Sequence, residues 1–250
     1  MKTGRLPRTF DPNVPHLSSL ALTTKPIVLP PALSYTQRLP AGLGMMLNDK
    51  LGDCTIAAFY HARQVWTGAH GAMETDPDSD VEALYESACG YVPGNAATDQ
   101  GGVEQHVLKY LVKAGAPTPK GRDHLLAFFE IDPRNLNDVK RAIYECGVCY
   151  IGINVPSNIM PENAPPPAVW TYDPSAKSIG GHAIILTGWN AQGFELISWG
   201  QVYHMTEELF RAICDESYAL VDKSWINSTG LTPLKMTVYQ LENQMKAIKA

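Results

Sequence analysis

The spacing of apolar residues shifts from mainly helical to mainly strand-like near Gly147, and that shift restricts the fold more than any other feature. Before it, apolar side chains recur three and four residues apart. Val103, Val107, Leu108, Leu111 and Val112 form one helical stripe, which Gly115 stops. Val139, Ala142, Ile143 and Cys146 form another, with Asn137 as the expected cap and Gly147 as the end. Residues 54–66 are apolar nearly all round, as in a helix buried on most of its faces. A short helix is predicted near 81–88 with Asp80 as its cap. After Gly147 the runs become short and strand-like, at 148–155, 181–189, 194–199 and 217–221, with 190–193 as a hairpin turn. An earlier strand is predicted at 125–131, and Thr206 caps a short helix to residue 213. Thr232-Pro233 opens a terminal helix whose Leu234, Val238, Leu241, Met245 and Ile248 form a docking stripe.

Helices first and strands afterwards predict an α+β protein of two lobes meeting along a cleft. The helical lobe spans about 45–125, the sheet lobe about 126–231 and the terminal helix 232–250. Residues 1–44 are rich in proline and lack periodicity, so they are expected to lie over the domain as an extended arm. Residues 156–178 hold six prolines and are read as a long loop.

In a chain of 250 residues, 45% apolar and 18% charged, there is enough apolar material for a sizeable core and too little charge for disorder. A net charge of -5 without a Lys/Arg cluster argues against nucleic acid or an anionic membrane as partner. No apolar run reaches the roughly 20 residues of a membrane span, and no apolar segment of a secretory signal follows the basic residues 1–8. Five sparse cysteines (Cys54, Cys89, Cys146, Cys149 and Cys214) do not make a disulfide framework, so a reducing, cytoplasmic compartment fits. Cys146 and Cys149 have redox or zinc spacing, but nothing nearby completes a metal set, and packing between a helix end and a strand start is the plainer use. Neither a metal nor a cofactor is expected. The oligomeric state is not legible.

Chemistry concentrates in two places. In residues 48–59, a Gly-Asp pair delivers Cys54 to the start of the apolar helix. Asp53 is placed to cap it, and the positive end of the helix dipole favours thiolate, the nucleophilic form. Of seven histidines, six (His16, His61, His70, His106, His124 and His204) sit in polar or helical contexts. His182 differs: it begins a strongly apolar strand after Gly180-Gly181. An imidazole there needs a partner, and the two glycines leave room for a neighbour to approach. A thiol at a helix start on one lobe and a base on a strand of the other suit a thiolate–imidazolium pair.

Four segments, in order, resemble the papain-like cysteine peptidases. Asn48 with Gly52-Asp53-Cys54 resembles the family's Gln and Gly-Ser-Cys nucleophile segment. Gln100-Gly101-Gly102 and the helix after it resemble its Gly-Gly loop, and residues 137–155 its helix-then-strand crossover. Gly181-His182-Ala183 with Ile197-Ser198-Trp199-Gly200 resembles its His-Ala strand and Asn-Ser-Trp-Gly motif. The resemblance implies a two-lobed papain-like fold and hydrolysis of a peptide or amide bond. It implies Cys54 as nucleophile, His182 as base, and Asn48 with the Cys54 N–H at the oxyanion. Trp199 would shield the histidine contact.

The chain departs from the pattern at two positions. The residue that orients the histidine is Asn in the family; here Ile197 or, one residue on, Ser198 takes that place, and only Ser198 can hydrogen-bond. Asp53 replaces a small neutral residue, and a carboxylate beside the thiol should raise its pKa. Both departures favour an alternative, a catalytically weak or inactive scaffold for binding or assembly. Acyl transfer on the same residues is a third possibility. The arm resembles the leader of bacterial and phage members, a context that extends to a virus particle.

Overall fold

The structure, a computed structural model, describes residues 1–21, 27–69 and 71–249; His70 falls outside them. The helices are α1 (Leu17–Ala21), α2 (Cys54–Gly68), α3 (Asp78–Cys89), α4 (Glu104–Lys113), α5 (Leu136–Cys146), α6 (Glu207–Ile213), α7 (Lys223–Thr229), α8 (Val238–Gln244) and α9 (Lys246–Lys249). The strands are β1 (Leu33–Ser34), β2 (Ala116–Thr118), β3 (Gly121–Asp123), β4 (Ala127–Ile131), β5 (Cys149–Pro156), β6 (Val169–Trp170), β7 (Ser178–Asn190), β8 (Gly193–Ser198), β9 (Gln201–Thr206) and β10 (Cys214–Val221).

One eight-stranded sheet runs in the order β4-β10-β5-β7-β8-β9-β6, with β1 paired to β7. The α+β class and the helices-then-sheet order agree with the sequence. Strands β5 and β7 lie at the sheet's centre, and their nearly unbroken apolar runs are buried on both faces. Helix α2 packs on β7, and all but one of its residues are buried. Consequently the helix that begins with Cys54 and the strand that carries His182 are neighbours in the core.

Several local expectations are corrected. Asp53 makes no side-chain cap of α2; its backbone carbonyl instead accepts from the N–H groups of Ile56 and Ala57. Helix α3 begins earlier than expected, after Pro77, so Asp80 lies inside the first turn, where a carboxylate suits the dipole. The cap of α5 is Asn135, not Asn137: its side chain accepts from the N–H of Asp138. The terminal stripe is not one helix. Leu234 and Lys235 take positive φ angles (58° and 57°), and Thr237 starts a new helix with a reciprocal capping box. Leu241, Met245 and Ile248 are nevertheless buried against the domain, as a docking stripe requires. Strand β9, which continues the sheet beyond β8, was not expected.

Residues 1–21 form more than a cover. Lys2 donates its N–H to Asn48 O at 2.8 Å; Gly4 and Arg5 donate to Gly181 O at 3.1 and 3.0 Å. Leu6 donates to Gly102 O and Gly102 to Gly4 O, each at 2.9 Å, which makes Arg5 a parallel partner of Gly102. The arm therefore threads between the loops before α2 and α4 on one side and the start of β7 on the other.

Candidate active site

Cys54 is the first residue of α2, and His182 pairs with Ile153 within β7. The Ala183 N–H donates to Cys54 Sγ at 3.4 Å, so the sulfur lies against the residue that follows His182. Nε2 of His182 is hydrogen-bonded to Ser198 Oγ at 2.8 Å, and its buried Nδ1 has no partner. The register explains why Ser198, not Ile197, stands there. Ile197 pairs with Ile185 and is fully buried, and the alternation of a strand turns the next side chain to the other face. Trp199, with a φ of 45°, stacks on the His182 ring at 4.6 Å and 19° between planes. From the long loop, Trp170 packs on Trp199 and Tyr203 at 5.8 and 5.2 Å, closing an aromatic wall over the imidazole.

Asn48 stands apart from this group. Its side-chain amide donates to Leu51 O and to Asp53 Oδ1, each at 3.1 Å, so both hydrogens are engaged within residues 48–53. The expectation of an amide free to meet an oxyanion is corrected to that extent. The reason is the shortness of Asn and the burial of Asp53, which needs a donor. Asp53 Oδ2 has no partner. Burial, opposed by the Asn48 hydrogen bond, pushes the Asp53 carboxyl well above the usual range and favours its protonated form beside the thiol.

Cys54 and His182 are each 1% exposed. What covers them is the arm. The Gly4 and Arg5 N–H groups bond to Gly181 O beside His182, and Trp199 Nε1 donates to Lys2 O at 3.2 Å. Two glycines the sequence placed near the site exist for this passage: a Cβ on Gly181 would lie 2.4 Å from Arg5 O, and one on Gly101 1.8 Å from Gly4 O. The neighbour that Gly180-Gly181 left room for is the arm itself. Burial pushes the Cys54 thiol up to about 12, with the Ala183 hydrogen bond opposing. It also pushes the His182 imidazole down to about 3, helped by the Arg5 cation. The covered pair is a neutral thiol and a neutral imidazole.

A second cluster, not legible in the sequence, lies beside the first. The Arg5 side chain enters a recess where Nη1 lies 2.6 Å from Glu216 Oε1 and 2.9 Å from Asp215 Oδ1. Nη2 donates to Asp215 Oδ2 at 2.9 Å. A glutamate next to an otherwise apolar strand, and another opening an amphipathic helix at Glu104, were the only signals. Elsewhere, Cys146 closes α5 and Cys149 opens β5, both buried in packing. His61 is buried in α2 with Nδ1 2.8 Å from Gln64 Oε1.

Ser198→Ala would leave His182 Nε2 without its partner. Were the chain to hydrolyse a substrate once the arm is displaced, as its resemblance implies, the rate would be expected to fall about tenfold to a hundredfold, short of the ~10⁴ lost with the orienting group of a serine triad. The acidic limb of the pH–rate profile should move with it. Loss of rate without any change in that profile would mean that Ser198 only packs.

No sequence profile of a known family matches the chain, and no curated protein matches it. Solved structures do. Xylellain, a cysteine protease from Xylella fastidiosa, aligns with a TM-score of 0.65 at 14% identity, over 88% of this chain and 96% of its own. A procathepsin B from Trypanosoma congolense aligns at 0.59 and 12%, over 89% and 86%. A digestive procathepsin L from Tenebrio molitor aligns at 0.56 and 13%, over 84% and 76%. These proteins come from a bacterium, a trypanosome and a beetle, so they do not single out a bacterial or phage context. Among the described residues no helix is long and apolar enough to cross a membrane. Thiol, imidazole, hydroxyl and indole are buried together where the start of α2 meets β7, and on the likeness to these structures the chain has the papain-like cysteine-protease fold.

Proposed function

We propose that the protein is a thiol hydrolase that cleaves a peptide or amide bond with Cys54 and His182. The observation that supports this reading is the contact of Cys54 Sγ with the N–H of Ala183, one residue from His182, whose ring has Ser198 Oγ at Nε2 and Trp199 stacked upon it. With Nε2–H donated to Ser198, Nδ1 keeps its lone pair and is free to take the thiol proton. Sulfur then attacks the carbonyl carbon, and the C=O electrons move onto oxygen. The N–H groups at the start of α2 face that charge. The C–N bond breaks as the imidazolium gives its proton to the amine, leaving a thioester. Water, losing a proton to His182, attacks the thioester; the C–S bond breaks and the acid is released. The arm must leave the groove before any of these steps. Asn48 acts as a positioning residue, holding Asp53 and the loop that presents the thiol.

The test is turnover of an internally quenched peptide library by full-length Gly4→Ala protein, in which the arm is displaced. Release of product that disappears in the same protein carrying Cys54→Ala or His182→Ala is expected. No product from any peptide, with Cys54 demonstrably alkylated, would instead favour the binding scaffold. That second reading is favoured by one observation, the partnerless Nδ1 of His182 beside a thiol held neutral.

A further inference from the structure

The recess that holds the Arg5 side chain is built for more than an ion pair. Its floor is Gly152 of β5. A Cβ there would lie 2.8 Å from Arg5 Nη1, 2.8 Å from Glu104 Oε1 and 2.7 Å from Glu216 Cγ, so only glycine leaves the space. Three carboxylates from two elements, Glu104 of α4 and Asp215 and Glu216 of β10, surround one guanidinium. Glu216 is fixed from behind by the Tyr218 hydroxyl at 2.9 Å, and Asp215 by Asn154 Nδ2 at 3.0 Å. Glu104 is fully buried, and neither of its carboxylate oxygens has a partner. Asp215 stands half-exposed at the mouth while Glu216 is sealed within. Arg5 follows Gly4, and both donate to the carbonyl of Gly181, the residue before His182, so the recess receives the side chain next to the residue that crosses the Cys54–His182 site.

We propose that this recess is the specificity pocket of the groove, that it selects an arginine next to the residue at the cut, and that Arg5 fills it from within the chain. This rests on the hydrolase reading given above. A fork of planar donors matches carboxylates set at two angles, whereas the single ammonium of lysine meets fewer of them and is harder to desolvate. An apolar side chain would leave buried carboxylates unpaired, the situation that gives strong discrimination. The arm is thus an internal ligand, with the occupant of the pocket and the cover of the thiol on adjacent residues.

The test uses full-length Arg5→Ala protein, with its pocket emptied, and the same protein carrying Glu216→Gln. Binding is measured by calorimetry with N-acetylarginine amide, N-acetyllysine amide and N-acetylleucine amide. Cleavage is measured on peptides varied at both positions flanking the cut. The arginine amide is expected to bind at least about tenfold tighter than the lysine amide, and Glu216→Gln should abolish the difference. Arginine peptides should be cut about 100-fold better than leucine peptides. Peptides cut without regard to arginine would overturn the pocket and leave the hydrolase standing. Selective binding of the arginine amide with no peptide cut would keep the pocket and overturn the hydrolase. Should Arg5→Ala fail to fold, Arg5→Lys serves. N-acetylarginine amide should then displace the arm and speed Cys54 alkylation, and an equal effect of the leucine amide would overturn the proposal.

Discussion

Gly4→Ala is expected to raise the rate at which iodoacetamide alkylates Cys54 near neutral pH by about 10³-fold. A Cβ on Gly4 would lie 1.8 Å from Gly52 O, a backbone atom. That backbone cannot yield easily, because Gly52 N is tied to Asp99 Oδ1 at 2.8 Å and the next residues begin α2. The arm must therefore move, and water reaches the sulfur. Under the arm, burial holds the thiol at about 12, so only a trace is thiolate at neutral pH. Exposure alone returns it to roughly 8.5, where about a tenth or less is thiolate. The helix dipole and the imidazole can only add to that.

The pH dependence gives the same contrast in another form. In the wild type the Cys54 rate should keep climbing by about tenfold per pH unit through the alkaline range, because the thiol titrates only near 12. In Gly4→Ala it should level off above about pH 9. Alkylation has to be read site by site, since Cys89 and Cys214 are only half-buried; the buried Cys146 and Cys149 serve as internal controls. An unchanged Cys54 rate, with hydrogen exchange showing residues 2–6 released, would mean that something other than the arm keeps the thiol inert.

Sequence and structure agree where a residue's local pattern carries its position. Cys54 was legible because an all-round apolar run must be a buried helix, and its first residue was a thiol. His182 was legible because an imidazole at the head of an apolar strand requires an explanation. The choice between Ile197 and Ser198 needed one more fact, the pairing of β8 with β7, since a period of two gives the alternation but not which face is which. The course of residues 2–6 was not legible at all. An aperiodic segment makes its contacts by backbone hydrogen bonds, which any sequence can form, and Arg5 meets Glu216 across 211 positions of chain. The terminal helix misled because its apolar spacing survives a break: Leu241, Met245 and Ile248 are buried, while positive φ angles at Leu234 and Lys235 end the run before them.

Asp53→Asn is expected to stabilise the protein by an amount that grows as pH rises above about 4. At a helix start a carboxylate gains about 0.3–1 kcal/mol from the dipole, but burying it ionised costs several. Desolvation wins here, with Asp99 and Asp49 adding repulsion and the Asn48 amide and the backbone N–H of Asp53 opposing, so the folded-state pKa of Asp53 is raised. In the unfolded chain Asp53 ionises near 3.9, while the folded protein keeps the proton bound until its higher pKa is reached. Across that window the unfolded state is favoured by about 1.4 kcal/mol per pH unit, and the wild type loses stability as pH rises. Asn has no proton to lose and keeps the oxygen that accepts from Asn48 Nδ2. The unfolding free energies of the two proteins should therefore coincide near pH 4 and diverge as pH rises above it, by at most about 1.4 kcal/mol per pH unit. A gap independent of pH, or a less stable variant at neutral pH, would show that Asp53 is ionised in the fold. It would then stand as an anion against the sulfur, and the thiol would resist activation even with the arm withdrawn. A protonated Asp53 would let an acidic residue precede the Cys54 thiol without opposing its ionisation.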